Sequence, residues 1–172
     1  ARIEAESAVV LDAPELGAYL RLAETFDSLP REIAAVPSDT LRYAPPVLAP
    51  SKIVCVGMNY RAHIEEMGEP VPRYPTLFAK FADALVGASD PILLPSGSAK
   101  VDWEVELVAI VGRTVRCVDA KTAGAAIAGF TVGNDISMRD FQARTSQWLQ
   151  GKSFDSATPV GPWMVTADEV GV

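Results

Sequence analysis

A set of acids, cations, an amide and the single histidine has spacings that could do chemistry, and the first group lies in "VDWEVEL", residues 101–107. Asp102, Glu104 and Glu106 alternate with Trp103, Val105 and Leu107, so a strand sends the acids to one face and the apolar residues to the other. The acid face continues through "VAIVG" as Val108 and Ile110, so a row of like charges opens a face that turns apolar. Glu104 and Glu106 stand roughly 7 Å apart at the backbone and can converge on one point. Close carboxylates in a half-buried site repel, and one takes up a proton unless a cation neutralises them. The outer face of an ordinary half-exposed strand accounts for the same pair.

Asp135 adds a third carboxylate at the end of the apolar run "AIAGFTVGN". It can join the glutamates or simply cap the helix that follows in "SMRDFQ". Three carboxylates with no nearby His or Cys form a hard, all-oxygen set suited to Mg²⁺ or Mn²⁺, with Ca²⁺ a further candidate and zinc disfavoured. His63, the single histidine, precedes Glu66 by one helical turn. A carboxylate beside an imidazole orients it and raises its basicity, as a general base requires, although exposed pairs of this spacing occur on any helix. Lys152 lies in the loop-like "GKSFDSATPVGPW", with Arg139 and Gln142 upstream. These could bind a substrate carboxylate or be solvated charges. No dinucleotide fingerprint, P-loop or nucleophile elbow is present.

The elements that must position these groups follow from pattern and punctuation. "KIVCVG" is predicted to be a central strand, "NYRAHIEEMG" a short helix with Asn59 as N-cap and Gly68 just past its end. "TLFAKF" and "PILLP" are predicted strands, and 101–111 the longest one. "DAKTAGAA" is expected to start a helix at Asp119, "IAGFTVGND" to form a strand, and "MRDFQARTSQWL" a helical stretch. Near the N-terminus, "SAVVL" reads as a strand. A helix should follow on the spacing of Leu16, Tyr19, Leu20, Ala23 and Phe26. Four prolines in residues 37–51 mark an extended connector. Strands outnumber helices without regular βαβ alternation, which predicts a mostly-β α+β domain. The expected organisation is an N-terminal region with its linker over residues 1–49 and a main domain over 50–172.

With 172 residues and a net charge of −7, the chain has the size of one domain with an appendage and lacks the basic stripe of a nucleic-acid binder. A cation inside a cleft could still recruit an anionic small molecule. Cys55 and Cys117 fit no paired spacing; Cys55, inside "KIVCVG", is expected to be a buried reduced thiol. The longest uncharged stretches fall short of the roughly 20 residues of a membrane helix, and "ARIEAESAVV" does not read as a secretory signal. No membrane association and a cytoplasmic location are the expectation.

Taken in order, "PSKIVCVGMNYRAHIEEM", "PTLFAKF", "VDWEVELVAIVG", "GFTVGNDISMRDFQ" and "GKSFDSATPVGPWMVT" resemble the fumarylacetoacetate hydrolase family, notably its acylpyruvase-like and 2-hydroxyhepta-2,4-diene-1,7-dioate isomerase-like members. The resemblance implies a mixed β-sheet roll with few short helices, and a Mg²⁺ site on Glu104, Glu106 and Asp135. It implies a catalytic set of His63, Glu66 and Lys152, and substrate contacts from Arg139, Gln142 and Lys152. The implied activity is Mg²⁺-dependent hydrolysis of a C–C bond in an acylpyruvate-type or 2-oxo-dicarboxylate substrate, as in aromatic-compound catabolism. Decarboxylation, isomerisation and a non-catalytic metal-binding member are the alternatives. The implied partners are a small anionic 2-oxo acid and a second copy in a homodimer. The family's domain continues into further strands with a "T-G-T-P-x-G"-like loop, so the C-terminal part of the roll is expected to be missing from this sequence. The segment "EMGEPVPRYPT" is expected to form part of a lid.

Overall fold

A computed structural model describes residues 1–22 and 28–171. The chain begins with β1 (Arg2–Glu4), β2 (Ser7–Leu11), α1 (Leu16–Leu22) and β3 (Glu32–Pro37), the three strands forming an antiparallel sheet in the order β1-β2-β3. Ala23 and Phe26, expected on the same helix face as Leu16, lie outside the described residues. Next come β4 (Ile53–Gly57), α2 (Arg61–Glu66), β5 (Thr76–Lys80) and β6 (Leu85–Gly87). The remainder comprises β7 (Val101–Asp102), β8 (Val105–Val111), α3 (Ala120–Gly124), β9 (Ile127–Asn134) and β10 (Ser137–Met138). It closes with α4 (Arg139–Gln142), α5 (Leu149–Lys152), β11 (Thr158–Val165) and α6 (Ala167–Val170). Strand outweighs helix, and the fold is the mixed, mostly-β arrangement that the patterning predicts. Among the described residues no helix is long and apolar enough to cross a membrane.

The main sheet has the order β6-β11-β9-β8, with β11 parallel to β6 and the other pairs antiparallel. In β8 the predicted alternation holds. Glu106, Val108 and Ile110 turn inward, while Val105, Leu107 and Val111 stay 63–65 % exposed. The acid-bearing face is therefore the inner one. Helix α1 docks on that face, where Leu20 packs with Ile110 and Ala128, flanked by Leu16, Tyr19, Val108 and Met164. A second buried cluster, Ile136, Met138 and Ala157 with Phe141 and Phe154, anchors the segment that carries α4 and α5.

Four local expectations are corrected. β4 is not a central strand: among the described residues it pairs with β5 alone, and Val54 and Val56 on its outer face are 60 % and 39 % exposed. A short apolar run does not distinguish a strand covered on both faces from one with an apolar, open outer face. "PILLP" forms no strand; Pro91 and Pro95 remove donors at both ends, and the segment is held by Leu93 N donating to Ser156 O at 3.1 Å. Tyr60, not Asn59, is the N-cap of α2, whereas Gly68 does take the left-handed conformation just beyond its end, at φ +69°. "MRDFQARTSQWL" is broken: α4 ends at Gln142 and α5 begins only at Leu149. Asp119 does cap α3, accepting from Thr122 N at 2.8 Å.

Candidate functional site

The long strand expected over 101–111 is interrupted at Trp103–Glu104, and this break builds the site. β7 leaves the main sheet to pair with β10, while β8 stays with β9. Across the gap, Glu104 N donates to Asn134 Oδ1 at 3.1 Å and Asp135 N donates to Glu104 O at 2.8 Å. The backbones of Glu104 and Asp135 are thus locked together, although 31 positions separate them in sequence.

Lys152, at the end of α5, reaches into this junction. Its ammonium donates to Glu104 Oε2 at 2.6 Å and Asp135 Oδ2 at 3.0 Å, and its side chain is 2 % exposed. Arg139, the first residue of α4, bonds Asp102 Oδ2, Glu104 Oε1 at 2.6 Å and Gln142 Oε1 at 2.9 Å. Asp102 is held below the ordinary carboxylate range, chiefly by its bond from Arg139. Asp135 does not cap the following helix; both its oxygens face lysines. The expected residues Glu104, Asp135, Arg139, Gln142 and Lys152 therefore form one connected network.

Glu106 borders that network, and among the described residues no ion pair reaches it. Its bond comes from the Tyr60 hydroxyl at 3.2 Å. Burial pushes its carboxyl above the usual range, and the charges of Glu104 and Asp135 push it further, against the opposing effect of Tyr60. His63 and Glu66 are together on α2 at 3.6 Å, but their side chains are 60 % and 82 % exposed. Among the described residues no hydrogen bond or ion pair joins this pair to the buried network.

One member escaped the sequence reading. Lys80, at the end of β5, is 2 % exposed in its side chain, and its ammonium donates to Asp135 Oδ1 at 2.6 Å and to the backbone carbonyl of Lys152. Its even spacing from Phe78, which puts the two on one strand face, is the signal that could have found it. Cys55, across from Phe78 on β4, is half-buried rather than buried; burial, helped by the charge of Asp135, raises its thiol to about 11. A thiol held that high is inert as a nucleophile near neutral pH.

Among the described residues no three His, Cys, Asp or Glu side chains close on one point as a ready-made metal cage, because ammonium and guanidinium groups take up the carboxylate oxygens. The donor chemistry nevertheless fits a hard divalent ion. Four carboxylates (Asp102, Glu104, Glu106 and Asp135) face three cations, and the uncompensated acid is Glu106.

This centre, with carboxylates from a strand break and a lysine buried among them, is carried on a mixed sheet. The model of the fumarylacetoacetate (FAA) hydrolase C-terminal domain matches residues 52–172, and the chain belongs to the fumarylacetoacetate hydrolase family. It is 45 % identical over 145 residues to human mitochondrial oxaloacetate tautomerase FAHD2A, spanning 83 % of this chain and 46 % of that protein. Two solved structures are similar at 38 % identity over 80 % of this chain. A 5-carboxymethyl-2-hydroxymuconate delta-isomerase from Mycobacterium smegmatis has a TM-score of 0.71, with 53 % of it covered. A 2-hydroxyhepta-2,4-diene-1,7-dioate isomerase from Mycobacterium marinum has a TM-score of 0.69, with 52 % covered. The chain spans about half the length of the relatives it matches.

Proposed function

We propose that this chain carries the reaction centre of an enzyme that interconverts keto and enol forms of a 2-oxo dicarboxylic acid with a divalent cation, Mg²⁺ first among the candidates. The observation that carries the reading is the Lys152 ammonium buried between Glu104 and Asp135. It keeps a proton donor at a fixed position out of solvent, with its side chain 2 % exposed, where a developing enolate oxygen would gain most from it. Support comes also from the relatives, whose names give them tautomerase and isomerase activities.

Glu104, Glu106 and Asp135 would hold the cation, which when bound supplies Lewis-acid polarisation of the 2-oxo group. Arg139 presents a planar fork of donors beside the Gln142 amide, a pairing suited to a substrate carboxylate. The rigid backbone bonds between the Glu104 and Asp135 segments keep those groups from reorganising during the reaction. His63, steadied by Glu66 on an exposed helix face, would exchange protons with water.

The test is the decay of the enol absorbance of oxaloacetate, followed with the protein and Mg²⁺ and then with a chelator. Mg²⁺-dependent acceleration supports the reading, and a rate equal to that of free Mg²⁺ overturns it. A second reading, hydrolysis of an acylpyruvate C–C bond, is favoured by the His63–Glu66 contact at 3.6 Å, since a carboxylate-steadied imidazole is the group that would deprotonate water. Loss of the diketo absorbance of acetylpyruvate distinguishes the two.

A further inference from the structure

Asp102 is the acid of the alternating row in "VDWEVEL" to which the proposed chemistry gives no task. It stands on β7, before the strand break, with Ser137 of β10 as its cross-strand partner. Both of its carboxylate oxygens are engaged. Oδ1 accepts from Trp103 N at 2.9 Å, and Oδ2 accepts from Arg139 Nε at 3.0 Å, with Nη2 2.9 Å away. At the other end of the same guanidinium, Nη1 lies 2.6 Å from Glu104 Oε1 and donates to Gln142 Oε1 at 2.9 Å.

The residues before Asp102 repeat the attachment. Arg139 N donates to Lys100 O at 2.8 Å, and Asp140 accepts from Ser98 Oγ at 2.6 Å and from Ala99 N at 3.2 Å. Residues 98–102 therefore hold the start of α4 through backbone and side chain together. A half-exposed ion pair contributes little to stability, so the Asp102–Arg139 contact is not explained by its energy. Asp102 is short and already fixed by Trp103, and what it adds is geometry. A guanidinium is a rigid plane of five N–H donors. Gripped at Nη1 alone, it can turn and close a two-bond fork on Glu104. Gripped along the Nε–Nη2 edge as well, it has a single orientation. The second N–H of Nη2 then has no partner among the described residues.

We propose that Asp102 is a positioning residue for Arg139: it fixes the guanidinium plane and keeps the unpartnered Nη2 donor set for the substrate carboxylate. The substrate contact rests on the reading above, whereas the orientation of the guanidinium does not. Asp102 acts through Arg139, so its removal weakens substrate binding and leaves the Lys152 donor in place.

The experiment joins kinetics and NMR on the unaltered chain, Asp102→Ala, Arg139→Lys and the double variant. With oxaloacetate and Mg²⁺, Asp102→Ala should raise KM about tenfold with kcat within about twofold, because the lost contact is made equally in ground and transition states. Added to Arg139→Lys, whose ammonium has no plane to orient, the same change should have no further effect. An unchanged KM overturns the proposal. So does an equal rise in both backgrounds, which would mean that Asp102 only braces the strand break. Hydrogen exchange followed by ¹⁵N NMR needs no turnover. The Arg139 Nε–H, identified by its loss in Arg139→Lys, should exchange slowly with water in the unaltered chain and rapidly in Asp102→Ala. Slow exchange in Asp102→Ala, or rapid exchange in the unaltered chain, overturns the positioning role whatever the kinetics. An unaltered chain without turnover removes the tautomerase reading and leaves the exchange rates to decide how Arg139 is held.

Discussion

The Lys152 ammonium lies 2.6 Å from Oε2 of Glu104, joining residues 48 positions apart, and the lysine side chain is 2 % exposed. This ammonium neutralises Glu104 and Asp135, the same charges the proposed divalent cation would neutralise, so lysine and cation would compete. Replacing Lys152 by Met should destabilise the metal-free chain by about 3–5 kcal/mol, because two carboxylates lose a buried partner. The same change should tighten Mg²⁺ binding while abolishing turnover. Calorimetric titration and thermal melts check both halves, and weaker Mg²⁺ binding in Lys152→Met would show that the ammonium helps to build the ion site instead of competing for it.

Glu106 carries the opposite sign. Its carboxyl is raised by burial first and by Glu104 and Asp135 second, so the charged form is less favourable in the folded chain than in the unfolded one. A raised acid contributes nothing well below the ordinary glutamate value of about 4.3, and its ionisation works against the fold as pH climbs beyond that. Glu106→Gln should therefore raise the melting temperature in chelator at neutral pH, modestly, because solvent screens a carboxyl that is only partly buried. The gain should vanish by about pH 3, where both states already hold the proton. With Mg²⁺ the order should reverse, because the variant lacks one of the proposed ligands. A variant no more stable than the parent in chelator would mean that Glu106 is already compensated.

His63 separates catalysis from architecture. Its side chain is 60 % exposed and its contact with Glu66 is a surface one, so His63→Ala should shift stability by no more than about 0.5 kcal/mol. Affinity for Mg²⁺ should be unchanged. If the imidazole moves protons in the reaction, the rate should fall by roughly 10²–10⁴. Acceleration of oxaloacetate enol decay equal to that of the parent would remove His63 from the tautomerase mechanism and leave it to the hydrolytic reading alone.

How far the sequence alone reached depends on whether a group's partners are local. The alternation of Glu106, Val108 and Ile110 against Val105 and Leu107 is a property of adjacent residues, and β8 reproduces it. Asp119 and Gly68 are read correctly for the same reason, since a cap is decided within a few residues. The spacing of Lys80 from Phe78 marks its strand face, but nothing local names its partners, which are 55 and 72 positions distant. β4 was misplaced because Val54 and Val56 look alike whether a second layer covers them or not. The break at Trp103–Glu104 was also invisible. It depends on β7 finding β10, with Ser137 opposite Asp102, rather than on anything within "VDWEVEL".

Gly151 tests whether the site depends on the close approach of its two short helices. It precedes Lys152 in α5, and a Cβ built there would stand 2.4 Å from the backbone nitrogen of Gln142 and 2.7 Å from its Cα. Backbone cannot swing aside as a flexible side chain would, so Gly151→Ala must push α5 from α4. Overpacking of this kind costs about 1–3 kcal/mol. The displacement bears directly on Lys152 and Gln142, so turnover should fall by more than the stability loss alone explains, even at temperatures where the variant is fully folded. Glu106 and Asp135 lie on other segments, and Mg²⁺ affinity should change far less than turnover does. Equal losses in both would mean that the contact supports the entire centre, and full activity in a folded variant would mean that the helices can part without moving Lys152.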